Sequence, residues 1–320
     1  MIIVTGAAGF IGSCLAKDLS DQYAGEVVIV DDFHRKEKLC NLRSIERLKQ
    51  IDRDEFFRWL ENQNTPEAII HIGARTDTTE FDYSIFEKLN VDFTKKVWSY
   101  CANNDVALIY ASSAATYGGG EHGYSDDHAL VDKLKPLNPY GESKQAFDLW
   151  ALSQVNKPKY WYGLKFFNVY GPNEYHKGRM ASVVFHAYNQ IESTGKMHLF
   201  RSHNKRYKDG EQLRDFIYVK DVISVIQFLL KTKPESGLYN LGTGNARTFI
   251  DLVKSVFSAM DKEMDIAFID TPEDIRDKYQ YFTEADMRKL RKAGYQKALT
   301  SLEAGVNDYV TNYLLRDANY

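Results

Sequence analysis

Five residues in, an unbroken apolar run meets a turn of glycines. Met1-Ile2-Ile3-Val4-Thr5 has the continuous hydrophobicity of a strand buried on both faces of a parallel sheet. It runs into Gly6-Ala7-Ala8-Gly9-Phe10-Ile11-Gly12, after which Ser13 to Leu19 read as helix. Strand, glycine turn and helix together let backbone N–H groups meet a pyrophosphate at a helix N-terminus. The spacing is G-x-x-G-x-x-G, so the dinucleotide fingerprint G-x-G-x-x-G is met only in part. The position of Gly6, Gly9 and Gly12 directly after the first strand favours a ligand-binding turn over a bare one.

Later segments repeat the alternation. A second strand, Val27 to Val30, ends at Asp31-Asp32, about 20 residues beyond the glycines, where an acid commonly meets the adenosine ribose. Asp31 favours the free 2′-hydroxyl of NAD, whereas Arg35, Lys36 and Lys38 suit the 2′-phosphate of NADP, so both coenzymes stay open. Arg43 to Gln63 read as helical cover. Ala68 to Ile72 form a third strand ending at Gly73-Ala74, where a ribose or phosphate can approach the backbone; His71 is read as packing in or beside the sheet. A long helix from Phe86 to Asn103, with Asn90 on its early turns, leads to a fourth strand, Val106 to Tyr110, opening into Ser112, Ser113 and Thr116. This pattern predicts an α/β, doubly wound parallel sheet of the Rossmann type, with ligands beyond the carboxyl ends of its strands.

Asn138-Pro139 reads as a helix start, which places Tyr140 and Lys144 four apart on one helical face. Tyr has an ordinary pKa of about 10, too high for a base at neutral pH. A nearby cation favours the phenolate, so this pair suits removal of a proton from an alcohol while hydride leaves the same carbon. A surface Tyr followed by a solvated Lys is the common meaning of Tyr-x-x-x-Lys, and a turn-capping role is the common one for Ser113. Here the preceding cofactor-type turn tips both toward chemistry, with Ser113 donating to the reacting oxygen.

After a fifth strand, Tyr160 to Phe167, the alternation weakens. A helix spans Val183 to Gln190, His198 to Arg214 is basic and loop-like, a helix spans Val222 to Lys231, and a strand ends at Asn240-Leu241-Gly242. Basic loops are usually solvated surface, but beside a cleft they also suit a diphosphate. Asp270 to Tyr320 read as a small α/β lobe closing over the site. The expected division is 1–167 for dinucleotide binding and 168–320 mainly for substrate, with some segments returning to the first unit. With 320 residues, 44% hydrophobic and 27% charged, the chain reads as an ordinary globular protein. A net charge of −3 gives no electrostatic case for nucleic acid or an anionic membrane. Cys14, Cys40 and Cys101 lack metal-type spacing and read as reduced thiols, so no metal is expected. The absence of a signal-like N-terminus or long apolar run leads to a cytoplasmic expectation.

Gly6-x-x-Gly9-x-x-Gly12, Ser113, Tyr140-x-x-x-Lys144, Arg214-Asp215-Phe216 and Asn240-Leu241-Gly242 together resemble the extended short-chain dehydrogenase/reductase family, over nearly the whole chain. Tyr110 to Gly119, Phe167 to Pro172, His176-Lys177-Gly178, Met180 to Val183 and Tyr279-Gln280-x-Phe282-Thr283 look like its ADP-heptose 6-epimerase branch. That resemblance implies epimerisation at C6 of an ADP-heptose, for the heptose of lipopolysaccharide, through a ketone formed and re-reduced with tightly held NADP. It implies Tyr140 and Lys177 as paired acid/base groups, because one base cannot easily serve both configurations. Lys144 is then the ribose-binding, pKa-tuning lysine and Ser113 a donor. Implied cofactor contacts are Phe10, Ile11, Asp31, Asp32, Lys38, Arg53, Ile72, Gly73, Ala74, Arg75, Thr76, Asn90 and Val169. Implied sugar-nucleotide contacts are Asn168, Arg179, His186, Phe200, Arg201, Ser202, His203, Arg214 and Tyr279. A homo-oligomeric ring, such as a pentamer, is implied too. The chain departs from the pattern at Arg179, where a small polar residue is expected, and in an insertion over Asn204 to Leu213. A 4-epimerase using one Tyr and a non-catalytic dinucleotide sensor are the alternatives. A 4,6-dehydratase wants an acid pair where Ala114-Ala115-Thr116 stand.

Overall fold

The computed structural model describes residues 1–45, 48–78, 80–276 and 279–320, with seven strands in a central parallel sheet. They are β1 (Ile2–Thr5), β2 (Val27–Asp31), β3 (Lys49–Asp52), β4 (Ala68–His71), β5 (Ala107–Ser113), β6 (Trp161–Phe166) and β7 (Gly237–Leu241). Their order is β7-β6-β5-β4-β1-β2-β3, every neighbouring pair parallel. Chain order reverses at β1, which has β2 on one side and β4 on the other. That switch point is where such a sheet leaves a crevice beyond its carboxyl ends.

Both faces of the sheet are covered, which is why β1, β2 and β4 are buried throughout and apolar up to their last residues, Thr5, Asp31 and His71. Successive residues point to opposite faces, so Ile2, Val4, Ile29 and Ile70 join one core and Ile3, Val28, Val30 and Ile69 the other. Helix α1 (Phe10–Gln22) follows the glycine turn, α2 (Phe93–Asn103) continues a π-helical stretch, Glu87–Asp92, and α3 (Pro139–Ser153) carries the Tyr140 face. Asn138 caps α3, its side chain accepting from the Gly141 N–H at 2.9 Å, and Pro139 occupies the first turn, where no N–H is needed.

The second half supplies β7 to the sheet and builds smaller pairs outside it: Asn168–Tyr170 with Phe216–Tyr218, Met197–Phe200 with Ile266–Ile269, and Leu213–Arg214 with Arg247–Thr248. Around them pack α4 (Val183–Thr194), α5 (Val219–Thr232), α6 (Phe249–Ala259) and α7 (Leu302–Asn312). Among the described residues no helix is long and apolar enough to cross a membrane.

Three local expectations change. Arg43 to Gln63 is not continuous helical cover: it holds the end of a 3₁₀ segment, Lys36–Ile45, then β3, then a short helix, Phe56–Leu60, with residues 46 and 47 outside the described ones. β3 pairs on one side only and has no buried residue, so it carries no hydrophobic pattern. The stretch from His198 to Arg214 is not all loop: it begins inside a strand, Met197–Phe200, that alternates buried and less buried positions. The α/β character of the C-terminal part comes from strands before residue 270. Beyond it the described residues form helices and loops, with 277 and 278 outside them.

Candidate active site

A cleft of about 390 Å³ opens at the switch point. Of the residues expected to contact a cofactor, Gly6, Gly9, Phe10, Ile11, Gly12, Asp31, Asp32, Lys38, Arg53, Ile72, Gly73, Ala74, Arg75 and Thr76 all line it. The turn is as tight as backbone allows: Gly6 has φ +70°, and a Cβ on it would lie 2.5 Å from the Gly73 Cα. A Cβ on Gly12 would lie 2.1 Å from the Gly6 carbonyl oxygen. The buried Asp31 carboxylate braces this turn, accepting from the Ala8 N–H at 2.8 Å through Oδ2 and from the Asp32 N–H at 2.7 Å through Oδ1. Lys38 reaches Asp31 at 3.3 Å and Arg53 reaches Asp32 at 3.8 Å. His71 also lines the cleft, bonded to the hydroxyls of Thr5 at 2.5 Å and Thr94 at 2.9 Å. Burial, with a smaller push from Lys144, drives its pKa down to about 3, so it is neutral.

Asn90 stands behind the wall. Its side chain accepts from the Arg75 N–H at 2.8 Å, and its amide donates to the Arg75 carbonyl at 2.9 Å and to Ser143 Oγ at 3.0 Å. It therefore ties the loop after β4 to the helix that carries Tyr140 and Lys144. Those two residues and Ser113 are not among the lining residues of the cleft; they sit at the end of β5 and the start of α3. Ser113 Oγ accepts from the Ala115 N–H at 3.1 Å and also hydrogen-bonds Tyr140. Lys144 Nζ donates to the Ala111 carbonyl at 2.8 Å, and burial lowers its pKa to about 8, opposed by Asp148. The phenol is not lowered by Lys144: burial pushes its pKa up, and the Ser113 hydrogen bond is what pulls against that.

Lys177 reaches the cleft from the other half of the chain. It lies in a 3₁₀ segment, Tyr175–Met180, broken at Gly178, where φ is +53°. Its Nζ sits 5.4 Å from the centre of the Phe10 ring, and burial lowers its pKa while Glu174 opposes. Glu174 fixes the segment, accepting from the Ser182 hydroxyl at 2.6 Å. Asn41, which the sequence reading did not single out, donates to the carbonyls of Ala8 at 3.1 Å and Asn173 at 3.0 Å and lies 3.2 Å from His176 Nδ1. His176 lines the cleft as well, held neutral by burial with a pKa of about 4.

The residues expected to meet a sugar nucleotide divide into groups. Arg214 is buried between two rings, 5.4 Å from the centre of Tyr279 and 5.7 Å from that of Phe249, and Phe200 stands edge-on to Tyr279 at 6.2 Å. The Ser202 N–H donates to Asp209 at 2.7 Å and the His203 N–H to the Tyr281 hydroxyl at 3.1 Å. The stretch from Asn204 to Leu213 thus folds back on its own anchor. Tyr207 stacks on Tyr281 at 5.5 Å, while Lys205, Arg206 and Lys208 face solvent. Arg201 is exposed and lies 3.7 Å from Asp270. Arg179, also exposed, reaches Asp77 at 3.8 Å, and its carbonyl lies 3.4 Å from His186 Nε2. Asn168 and Val169 lie on the short strand after β6, where the Asn168 amide donates to the Asp215 carbonyl at 3.1 Å.

The sequence profile of the NAD dependent epimerase/dehydratase family matches residues 2–242. The chain belongs to that family. It is 50% identical to ADP-L-glycero-D-manno-heptose-6-epimerase of Fusobacterium nucleatum, over 100% of both chains. It is 48% identical to the protein of that name from Nitratidesulfovibrio vulgaris, over 98% of each. Its fold matches the crystal structure of the Helicobacter pylori ADP-L-glycero-D-manno-heptose-6-epimerase with a TM-score of 0.81 and 28% identity, covering 97% of this chain and 95% of that one.

An enzyme of the NAD dependent epimerase/dehydratase family works with a nicotinamide dinucleotide, and this cleft fits one. No Cβ fits at Gly6 or Gly12, because the turn packs directly on the Gly73 backbone and on itself, and its backbone N–H groups lead into the start of α1 beside the cleft. Sequence spacing missed Asn41, Glu174 and the buried pair Asp148 and Lys165, because each acts through contacts between different elements that no helix or strand period brings together.

Proposed function

We propose that the chain converts ADP-D-glycero-D-manno-heptose to ADP-L-glycero-D-manno-heptose by inverting C6 of the heptose. The observation that carries this reading is Lys177, an amine set at the wall of the dinucleotide cleft with its pKa drawn down by burial. A solvated loop lysine would have neither property. The full-length identity to proteins bearing the heptose epimerase name supports the choice of substrate.

The bound nicotinamide supplies a hydride acceptor that returns the hydride with no net redox change. Tyr140 takes the C6 hydroxyl proton from one configuration and Ser113 positions the oxygen. Lys177 exchanges the proton when the oxygen lies on the other side, because a single fixed base cannot reach both configurations. Lys144 is held on the Ala111 carbonyl and the phenol is raised by burial against the Ser113 hydrogen bond, so Tyr140 would depend on the positive charge that an oxidised nicotinamide would supply nearby to reach its phenolate. Arg214, between Tyr279 and Phe249, binds the diphosphate next to the adenine end, with Phe200, Arg201, Ser202 and His203 along the same edge.

NADP is the coenzyme in this reading. Both Asp31 oxygens are already engaged, one of them by Lys38, and Arg35, Lys38 and Arg53 line the same end of the cleft. That arrangement favours a 2′-phosphate over a free 2′-hydroxyl. In the same reading the enzyme works in the cytoplasm and, by the family resemblance, as a homo-oligomer. Incubation with ADP-D-glycero-D-manno-heptose, followed by proton NMR, tests the activity. The 6-epimer is the expected product; turnover of UDP-hexoses with none of the heptose substrate would overturn the reading.

A further inference from the structure

Beneath α3 lies an ion pair that the chemistry above does not use. Asp148 and Lys165 are completely buried, and Lys165 Nζ donates to Asp148 Oδ2 at 2.8 Å. Asp148 also accepts from Ser112 Oγ at 2.7 Å and from the Tyr110 hydroxyl at 3.1 Å. Lys165 donates again to Thr116 Oγ1 at 2.8 Å, and that hydroxyl donates to the Ser113 carbonyl at 2.8 Å. The end of β5 is thus gripped from Tyr110 to Thr116. Within this stretch, Ala111 carries the carbonyl that holds Lys144, and Ser113 carries the hydroxyl that meets Tyr140.

Stability alone does not account for the pair. Removing two charges from water is costly, and well-packed apolar side chains of similar volume serve the folded state as well or better. Its placement suggests a different purpose. Asp148 lies four residues after Lys144, on the same face of the same helix. We propose that Asp148 and Lys165 are positioning residues of the reaction: the pair fixes the end of β5 under Tyr140 and Lys144, and it sets a carboxylate one helical turn from the Lys144 amine.

The groups facing Lys144 agree with this. From its own helix come Tyr140, neutral, and Asp148, the group that opposes the effect of burial on Lys144. From β4 comes His71, held neutral. Lys165, on β6, stands behind Asp148 and is neutralised by it. The role assigned to the pair rests on the epimerase reading of Tyr140 and Lys144.

Two variants test it, Asp148→Leu/Lys165→Met and Asp148→Asn/Lys165→Gln, each removing both charges so that neither is left buried alone. The pH dependence of kcat is measured with ADP-D-glycero-D-manno-heptose beside the unaltered protein, together with KM and thermal unfolding. The expected result is a folded variant whose alkaline limb lies about one pH unit lower, with KM little changed, and an Asp148→Glu variant that keeps the limb in place. An unchanged limb in a folded variant overturns the proposal, as does failure of both double variants to fold, which would make the pair a stability element. Absence of epimerisation in the unaltered protein would instead bring down the reading beneath it.

Discussion

Lys177, from the 3₁₀ segment that follows the short strand Asn168–Tyr170, holds its side-chain nitrogen 5.4 Å from the centre of the ring of Phe10, the first residue of the helix after the glycine turn. The amine proposed as the second acid/base group therefore rests on the cofactor-binding turn itself. Lys177→Ala is expected to lower the epimerisation rate by about 10²- to 10⁴-fold, the usual worth of a positioned proton donor or acceptor. Affinity for NADP, followed by fluorescence of the reduced coenzyme, should change little. Epimerisation at the native rate would remove Lys177 from the mechanism.

Lys38 touches Asp31 at 3.3 Å at the end of the cleft proposed to hold the 2′-phosphate. Lys38→Ala removes one charge-assisted contact of about 1.5–3 kcal/mol. The dissociation constant for NADP should rise about tenfold or more in a fluorescence titration, with that for NAD almost unmoved. An equal effect on both coenzymes would place the phosphate elsewhere.

Arg214 is sandwiched between Tyr279 and Phe249, a site built for a fixed, planar cation. Arg214→Lys keeps the charge but not the stacking. It should raise KM for the sugar nucleotide about tenfold and leave kcat nearly intact, the signature of lost uniform binding. A fall in kcat with KM unchanged would put Arg214 at the reacting carbon instead.

His71 is buried and neutral, with its pKa lowered from 6.5 to about 3. Below pH 6.5 the unfolded chain binds a proton at this position that the folded chain refuses, so stability falls as pH falls. Between pH 6.5 and 5 the loss from His71 is about 2 kcal/mol. Urea midpoints at the two pH values measure it, and His71→Gln should flatten the slope over this window.

The strands that bury both faces were readable from residue type alone: β1, β2 and β4 are short apolar runs with a turn of glycine or aspartate at their ends. The start of α3 was readable too, since Asn138 and Pro139 act within one helical turn. β3 was not, because an edge strand with exposed side chains leaves no pattern. The same limit applies inside the site. Tyr140, Lys144 and the glycines announce themselves by local spacing, whereas Asn41 and Asn173 are 132 residues apart and meet only through the fold. The environment of Tyr140 was also beyond the sequence, because where Lys144 points depends on the Ala111 carbonyl.

A single amide, that of Asn41, spans two loops with different tasks: one hydrogen bond goes to the Ala8 carbonyl in the turn that cradles the coenzyme, and another to the Asn173 carbonyl at the root of the Lys177 segment. The two loops are therefore held in one fixed relation, the coenzyme turn on one side of the amide and the root of the Lys177 segment on the other. Such a stitch suits a catalyst that must keep its coenzyme through an oxidation and its reversal.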